Sequence, residues 1–206
     1  MDVLNIDFIP AKLYVPCSSS FKNFLDSELR NLESVIDSLI QESEYTKLLD
    51  CLFIRFNNQL RHIRFFKSFC SFRRSVRHVR FGAPTKGIYR FNMLLKSVDR
   101  KPTCPSLHSF DHVLVCLLQL HRLTKLSIAR SFNCWKVCDL QFVTGHFTKV
   151  LLLIMTLLAG LRPILVRIGL QLQTTYENLR EAKSQYTVSQ SWVVLLLWII
   201  SMHIAS

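Results

Sequence analysis

Apolar residues recur at helical spacing over most of this chain. Leu25, Leu29, Leu32, Ile36, Leu39 and Ile40 follow one another at short steps, with acids on the other side. That period predicts an amphipathic helix, capped by Ser20 and running from Phe21 to near Glu42. A second stripe holds Leu48, Leu49, Leu52, Phe53, Phe56, Leu60, Ile63, Phe69, Phe72 and Val76. It predicts one long helix over 43–79, since no Pro or Gly interrupts it before Gly82. From 81 to 108 the pattern lapses. Gly82-Ala-Pro84, Gly87 and Lys101-Pro-Thr-Cys-Pro105 predict an irregular loop insertion, with at most a short helix over 89–98. A third helix is expected over 109–130, with Val113, Leu114, Leu117, Leu118 and His121 on its stripe. A fourth segment covers 132–173, and Pro163 is expected to kink or restart it.

Between 150 and 161 that fourth segment is apolar on every face. Such a helix lies either at the centre of a bundle or in a membrane. The run is bounded by Lys149 and Arg162 and falls short of the roughly 20 residues of a span, which favours the buried helix. Residues 174–188 turn polar, and 192–200 are again apolar, with Trp192 and Trp198. This tail reads as a packing helix, a short interfacial anchor or an isoform-specific terminus. Residues 1–20, with Pro10, Pro16 and Ser18 to Ser20, read as a flexible N-terminal segment. The expected architecture is all-α: a helical bundle over 21–188, with a long basic helix, a buried apolar helix and an irregular insertion at 81–108. The 189–206 tail follows it. A chain that is half hydrophobic with only five Gly and six Pro fits a folded helical protein rather than a disordered one.

Charge sharpens the picture. The net charge is +12, and it is unevenly placed. Seven of the fourteen acids lie between Asp26 and Asp50, whereas residues 55–101 hold thirteen Lys/Arg and one acid, Asp99. Such polarity points to a polyanion or an anionic membrane face, and RNA is the simplest partner. A solvated basic surface without a ligand is the plain alternative. The seven cysteines are irregularly spaced, and residues 1–16 carry Asp2 and Asp7 without an apolar signal-peptide core. The thiols are therefore expected to be reduced, in the cytosol or nucleus.

Enzyme chemistry finds little support in the sequence. There is no Gly-rich phosphate loop, no Gly-x-Ser-x-Gly elbow and no His-Glu-x-x-His motif. Residues 51–176 hold only Asp99, Asp111 and Asp139 as acids, too few for a two-metal nuclease centre. Cys134 and Cys138 lie one helical turn apart, as do His108 and His112. Nothing brings the pairs together, so they read as core cysteines and surface histidines. No metal, no cofactor and no catalytic residue is expected.

The candidate RNA-binding residues are Arg55, Asn58, Gln59, Arg61, Arg64, Phe65, Lys67, Arg73, Arg74, Arg77 and Arg80. Arg73, Arg77 and Arg80 share a helical face, and Arg61, Arg64 and Lys67 extend the charge. Guanidinium groups fork onto phosphates, while amides and rings contact unstacked bases. Phe65 and Phe66 are adjacent, so either one is exposed for stacking or both pack at element junctions. Arg55, Asn58, Gln59 and Arg61 are expected to form the most specific contact. The opposing expectation is that Arg55 and Arg61 pair with Glu42, Glu44 or Asp50. Lys86, Arg90, Arg100 and Lys101 are expected to hold RNA backbone from the following loop.

Two stretches resemble a known family. Arg55-x-x-Asn58-Gln59-x-Arg61, then Phe65-Phe66-x-x-Phe69 and Arg73-Arg74, resembles the signature of the small protein subunit of ribonuclease MRP and the related nucleolus and neural progenitor proteins. Gly145, Thr156-Leu157-Leu158-Ala159-x-Leu161-Arg162 and Arg167 resemble that family's Gly-led apolar helix. Leu60 stands where the family commonly has His, and Phe65 where it has Trp. The resemblance covers about residues 28–180. It implies a non-catalytic subunit of a nucleolar ribonucleoprotein that cleaves precursor ribosomal RNA. Its implied partners are the RNA component of ribonuclease MRP and the other protein subunits of that complex. Two other classes compete with it. One is a small membrane protein with segments at 148–170 and 191–205 and a cytoplasmic basic region. The other is a helical protein-interaction scaffold.

Overall fold

The computed structural model describes residues 14–16, 19–37, 44–96, 103–105 and 107–204. In chain order the elements are β1 (Tyr14–Pro16), α1 (Ser19–Asp37), α2 (Glu44–Leu60), α3 (Arg64–Phe81), α4 (Ala83–Lys96), β2 (Thr103–Pro105), α5 (Leu107–Phe142) and α6 (Thr148–Ile204). The fold is an all-α bundle. Its centre is the antiparallel pair α5 and α6; α3 and α4 pack on α5, while α1 and α2 pack on α6. The two short strands pair antiparallel, with Val15 opposite Cys104. Residues 14–16 of the expected flexible N-terminal segment are thus tied down, while 1–13 lie outside the described residues.

The stretch 43–79 is two helices, not one. The last turn of α2 closes with the Arg61 N–H on the Asn57 carbonyl at 3.1 Å, and the Ile63 N–H reaches the Leu60 carbonyl at 2.9 Å. Ile63 is extended (φ −80°, ψ 139°) and starts α3. The reason lies in the phase of the apolar stripe. At about 100° per residue, Leu49, Phe56 and Leu60 fall on the opposite side of a continuous helix from Phe65, Phe69, Phe72 and Val76. A break at 61–63 lets both stripes meet the same core. Leu49, Leu60, Phe65, Phe66, Phe69, Phe72, Val76 and Val79 are all buried.

Gly82 separates α3 from α4. Its N–H bonds to the His78 carbonyl at 2.9 Å, and a Cβ there would stand 2.2 Å from that oxygen, so the close approach demands glycine. Pro84 sits in the first turn of α4, where its missing N–H is harmless. The Thr85 hydroxyl donates to the Val79 carbonyl at 2.7 Å and ties the two helices. Residues 83–96, expected within an irregular insertion, therefore form a helix.

The expected boundary between the third and fourth segments near 131 does not exist. α5 runs through it, and the chain turns at 143–147 instead. Gly145 (φ 71°) and Phe147 (φ 62°) both adopt the left-handed conformation there, which costs Phe147 strain that glycine avoids. The Thr148 hydroxyl donates to the Gly145 carbonyl at 2.9 Å, helping α6 to start. α6 then runs through Pro163 without the expected restart, and it continues through the polar residues 174–188 into the apolar tail. Its stripe Leu151, Ile154, Leu158, Leu161, Leu165, Ile168 and Leu172 is buried, while Leu152 and Leu153 are exposed. The helix is therefore buried along a stripe at three- and four-residue steps rather than all round. The span Thr148–Ser184 is long and apolar enough to cross a membrane; in the bundle its buried stripe packs against α5, α1 and α2.

Candidate nucleic-acid interface

The basic residues of α2 and α3 divide into two sets. One set is locked into the fold. Arg73 Nε donates to Asp50 Oδ1 at 2.6 Å, joining α3 to α2. Its guanidinium also lies 3.9 Å from the centroid of Phe53, and its side chain is only 14% exposed. Arg80 is half-buried. Burial lowers its pKa, while Asp50 opposes that shift and Arg77 adds to it. Asp50, one of the three acids the sequence offers to Arg55 or Arg61, is thus engaged by Arg73, and Glu42 lies outside the described residues.

The second set faces outward. Arg64, Lys67, Arg74, Arg77 and His78 are exposed along α3. From Arg64 to Arg77 this row extends ~20 Å at 1.5 Å per residue. The expected face of Arg73, Arg77 and Arg80 is corrected by this geometry. Of the three only Arg77 is exposed: Arg73 turns toward Asp50 of α2, and the half-buried Arg80 lies 4.8 Å from the Phe81 ring centroid. Arg55, Asn58, Gln59 and Arg61 are exposed at the end of α2. Arg61 Nε donates to His62 Nε2 at 2.9 Å, so the tip of the α2–α3 corner presents a paired cation and imidazole. The Arg55 guanidinium lies 5.7 Å from the Phe56 ring centroid. Lys86 and Arg90 are exposed one turn apart on α4. Arg100 and Lys101 lie outside the described residues.

Phe65 is withdrawn from the candidate contacts. It and Phe66 are both fully buried, so neither ring offers a face to a base. Phe65 approaches Phe147 of the α5–α6 turn, centroids 6.0 Å apart. Phe66 stacks on Phe53 of α2 at 6.4 Å. Adjacent positions point to different neighbours because three elements converge here. Packing at element junctions is the outcome.

Cys134 and Cys138 are buried on α5. The hydrogen bond with Cys138, and then burial, hold the Cys134 thiol above its ordinary range, which keeps it protonated and unreactive. Cys116 is likewise raised by burial and lies 3.8 Å from His112 Nδ1. Among the described residues no group of three or more His, Cys, Asp or Glu is placed to hold a metal ion.

His78 is the part of the outward face that the candidate residues omit. It lies one turn beyond Arg74, and that spacing is readable in the sequence. The arrangement defines a class: a helical bundle whose basic helix is fastened on one side and open on the other. The sequence profile of the nucleolus and neural progenitor protein, N-terminal, matches residues 5–180. The chain belongs to that family. No curated protein and no solved structure matches the chain.

Proposed function

We propose that this protein is a non-catalytic RNA-binding subunit of the ribonuclease MRP ribonucleoprotein and supports precursor ribosomal RNA processing in the nucleolus. The family's name supports the nucleolar setting. The observation that carries RNA binding is the outward row Arg64, Lys67, Arg74 and Arg77, beside Lys86 and Arg90. These side chains are on ordered helices, so their charges are held in register for a phosphate backbone. Arg55, Asn58, Gln59 and Arg61 add planar donors and amides at one end. They are the groups suited to base edges or 2′-hydroxyls.

The protein's own role is to hold RNA, with RNA and the other subunits supplying the catalytic assembly. The test is to purify the tagged full chain from its own cells at moderate salt and sequence the RNA recovered. Strong enrichment of the RNA component of ribonuclease MRP supports the reading, and intact protein without any enriched RNA ends it. In vitro, changing Arg64, Lys67, Arg74 and Arg77 to Gln should lower the log–log salt slope by ~0.7–0.9 for each phosphate no longer neutralised. An unchanged slope removes this face from the interface.

A further inference from the structure

The α5–α6 hairpin carries a second surface, remote in kind from the basic row. Phe132, Trp135, Leu140, Val143, Leu152 and Leu153 are all exposed there, Leu140 to 70% and Val143 to 87%. Phe132, Lys136 and Leu140 recur at i, i+4 and i+8, so they share one face of α5, with the exposed Asp139 beside Leu140; Val143 follows in the turn just past the helix end. Two cations rest on Phe132: Lys136 Nζ at 4.6 Å and, from α6, the Arg162 guanidinium at 5.7 Å from its centroid. The outer faces of both helices therefore adjoin at this level. Residues 112–176 contain seven Lys/Arg and a single acid, Asp139. Several large apolar side chains left exposed on one hairpin mark an interaction site.

We infer that this hairpin face docks an acidic amphipathic helix of another protein. Its apolar side would cover Leu140, Val143 and Leu152, and its carboxylates would meet Lys136 and Arg162. The mode is a helix laid along an apolar face, with charge fixing the register. The alternatives fit less well. RNA gains little from aliphatic side chains, because its interfaces are polar and strongly cationic on the protein side. A second copy of the chain would bring like charges together across a self-complementary contact. A lipid surface would draw Lys136 toward the acyl boundary, since it lies in the same row as Leu140 rather than on an opposite polar face.

The test places p-benzoylphenylalanine at Leu140 in the full chain, expressed in its own cells, with the same label at exposed Asn31 of α1 as control. After irradiation, the crosslinked product is mapped by mass spectrometry. The expected product is a segment of another polypeptide with apolar residues at helical spacing and at least two acids beside them. Adding Lys136→Glu and Arg162→Glu should cut its yield about tenfold, as like charges replace opposite ones. Both sites are exposed, and unchanged helical circular dichroism checks that the variant folds. Crosslinks to lipid, to RNA or to a second copy would overturn the inference. So would a yield no greater than at Asn31, or a yield indifferent to the charge reversal.

Discussion

Arg73 separates a fold role from a binding role, and replacing it with Gln tests which one it has. The guanidinium makes one charged hydrogen bond, to Asp50 at 2.6 Å. It also covers the Phe53 ring at 3.9 Å. A hydrogen bond to a charged group contributes ~1.5–3 kcal/mol, and a cation over a ring ~0.5–2 kcal/mol depending on its exposure. Asp50 is 37% exposed, so solvent screening trims the first figure. Gln keeps part of the packing. The expected loss is therefore ~2 kcal/mol, read by urea unfolding followed by circular dichroism. Asp50→Asn should lose a similar amount, and the double variant less than the sum, with a coupling of ~1 kcal/mol or more. At a protein concentration where the variant is folded, the salt dependence of RNA binding should not change. A loss below ~0.5 kcal/mol, together with a salt slope lower by ~0.7–0.9, would refute the assignment and return Arg73 to the RNA face.

Three other outcomes follow from the packing. Phe65→Ala should destabilise by ~3–5 kcal/mol, as for a large ring removed from a core; RNA affinity lost from a variant of wild-type stability would contradict that. Gly82→Ala should cost ~2 kcal/mol in thermal or urea unfolding, because its Cβ would lie 2.2 Å from the backbone oxygen of His78; an unchanged midpoint would show that the α3–α4 corner yields. Tyr89 donates its hydroxyl proton to Asp37, joining α4 to α1, and burial, then this bond and the charges of Asp37 and Glu33, raise its pKa above 10.0. A raised folded pKa means that the unfolded chain releases the phenol proton first. This contribution to stability is complete below about pH 10 and is lost as pH rises beyond it. Unfolding at about pH 9 and about pH 11, on either side of the ordinary phenol range, should show a larger alkaline loss for the wild type than for Tyr89→Phe, and equal losses would exclude the linkage.

Much of the bundle is legible in the apolar period, and its errors are errors of phase. The stripe Leu25, Leu29, Leu32 and Ile36 of α1 is buried as its spacing predicts. The α2–α3 break is also written in the sequence, but as a half-turn jump of the stripe between Leu60 and Phe65 rather than as a Pro or Gly. A count of apolar residues passes over it, whereas their angles reveal it. The α5–α6 turn has a weaker signal. Gly145 alone interrupts a run of helix-compatible residues, and Phe147 adopts a left-handed conformation that its side chain disfavours. Pro163 misleads in the other direction. A helix held by a buried stripe on both sides of a proline can tolerate the missing hydrogen bond. Gly82, Pro84 and Gly87 disguise α4, although the first two mark a helix start rather than a loop.

The candidate site is legible as charge but not as direction. Composition finds thirteen cations in residues 55–101, and no composition can say which of them the fold uses. Asp50 makes that division. Placed on α2 across from α3, it engages Arg73 and lies near enough to oppose the pKa shift of Arg80. This acid is therefore more than a neighbour of the basic stretch, and its partner is neither Arg55 nor Arg61. It anchors the flank of α3 that turns toward α2 and leaves Arg64, Lys67, Arg74 and Arg77 outward. A helix with cations on several sides would have to desolvate some of them when it packed. One acid, spaced to meet the inward arginine, lets the same helix serve as core on one side and as a charged surface on the other.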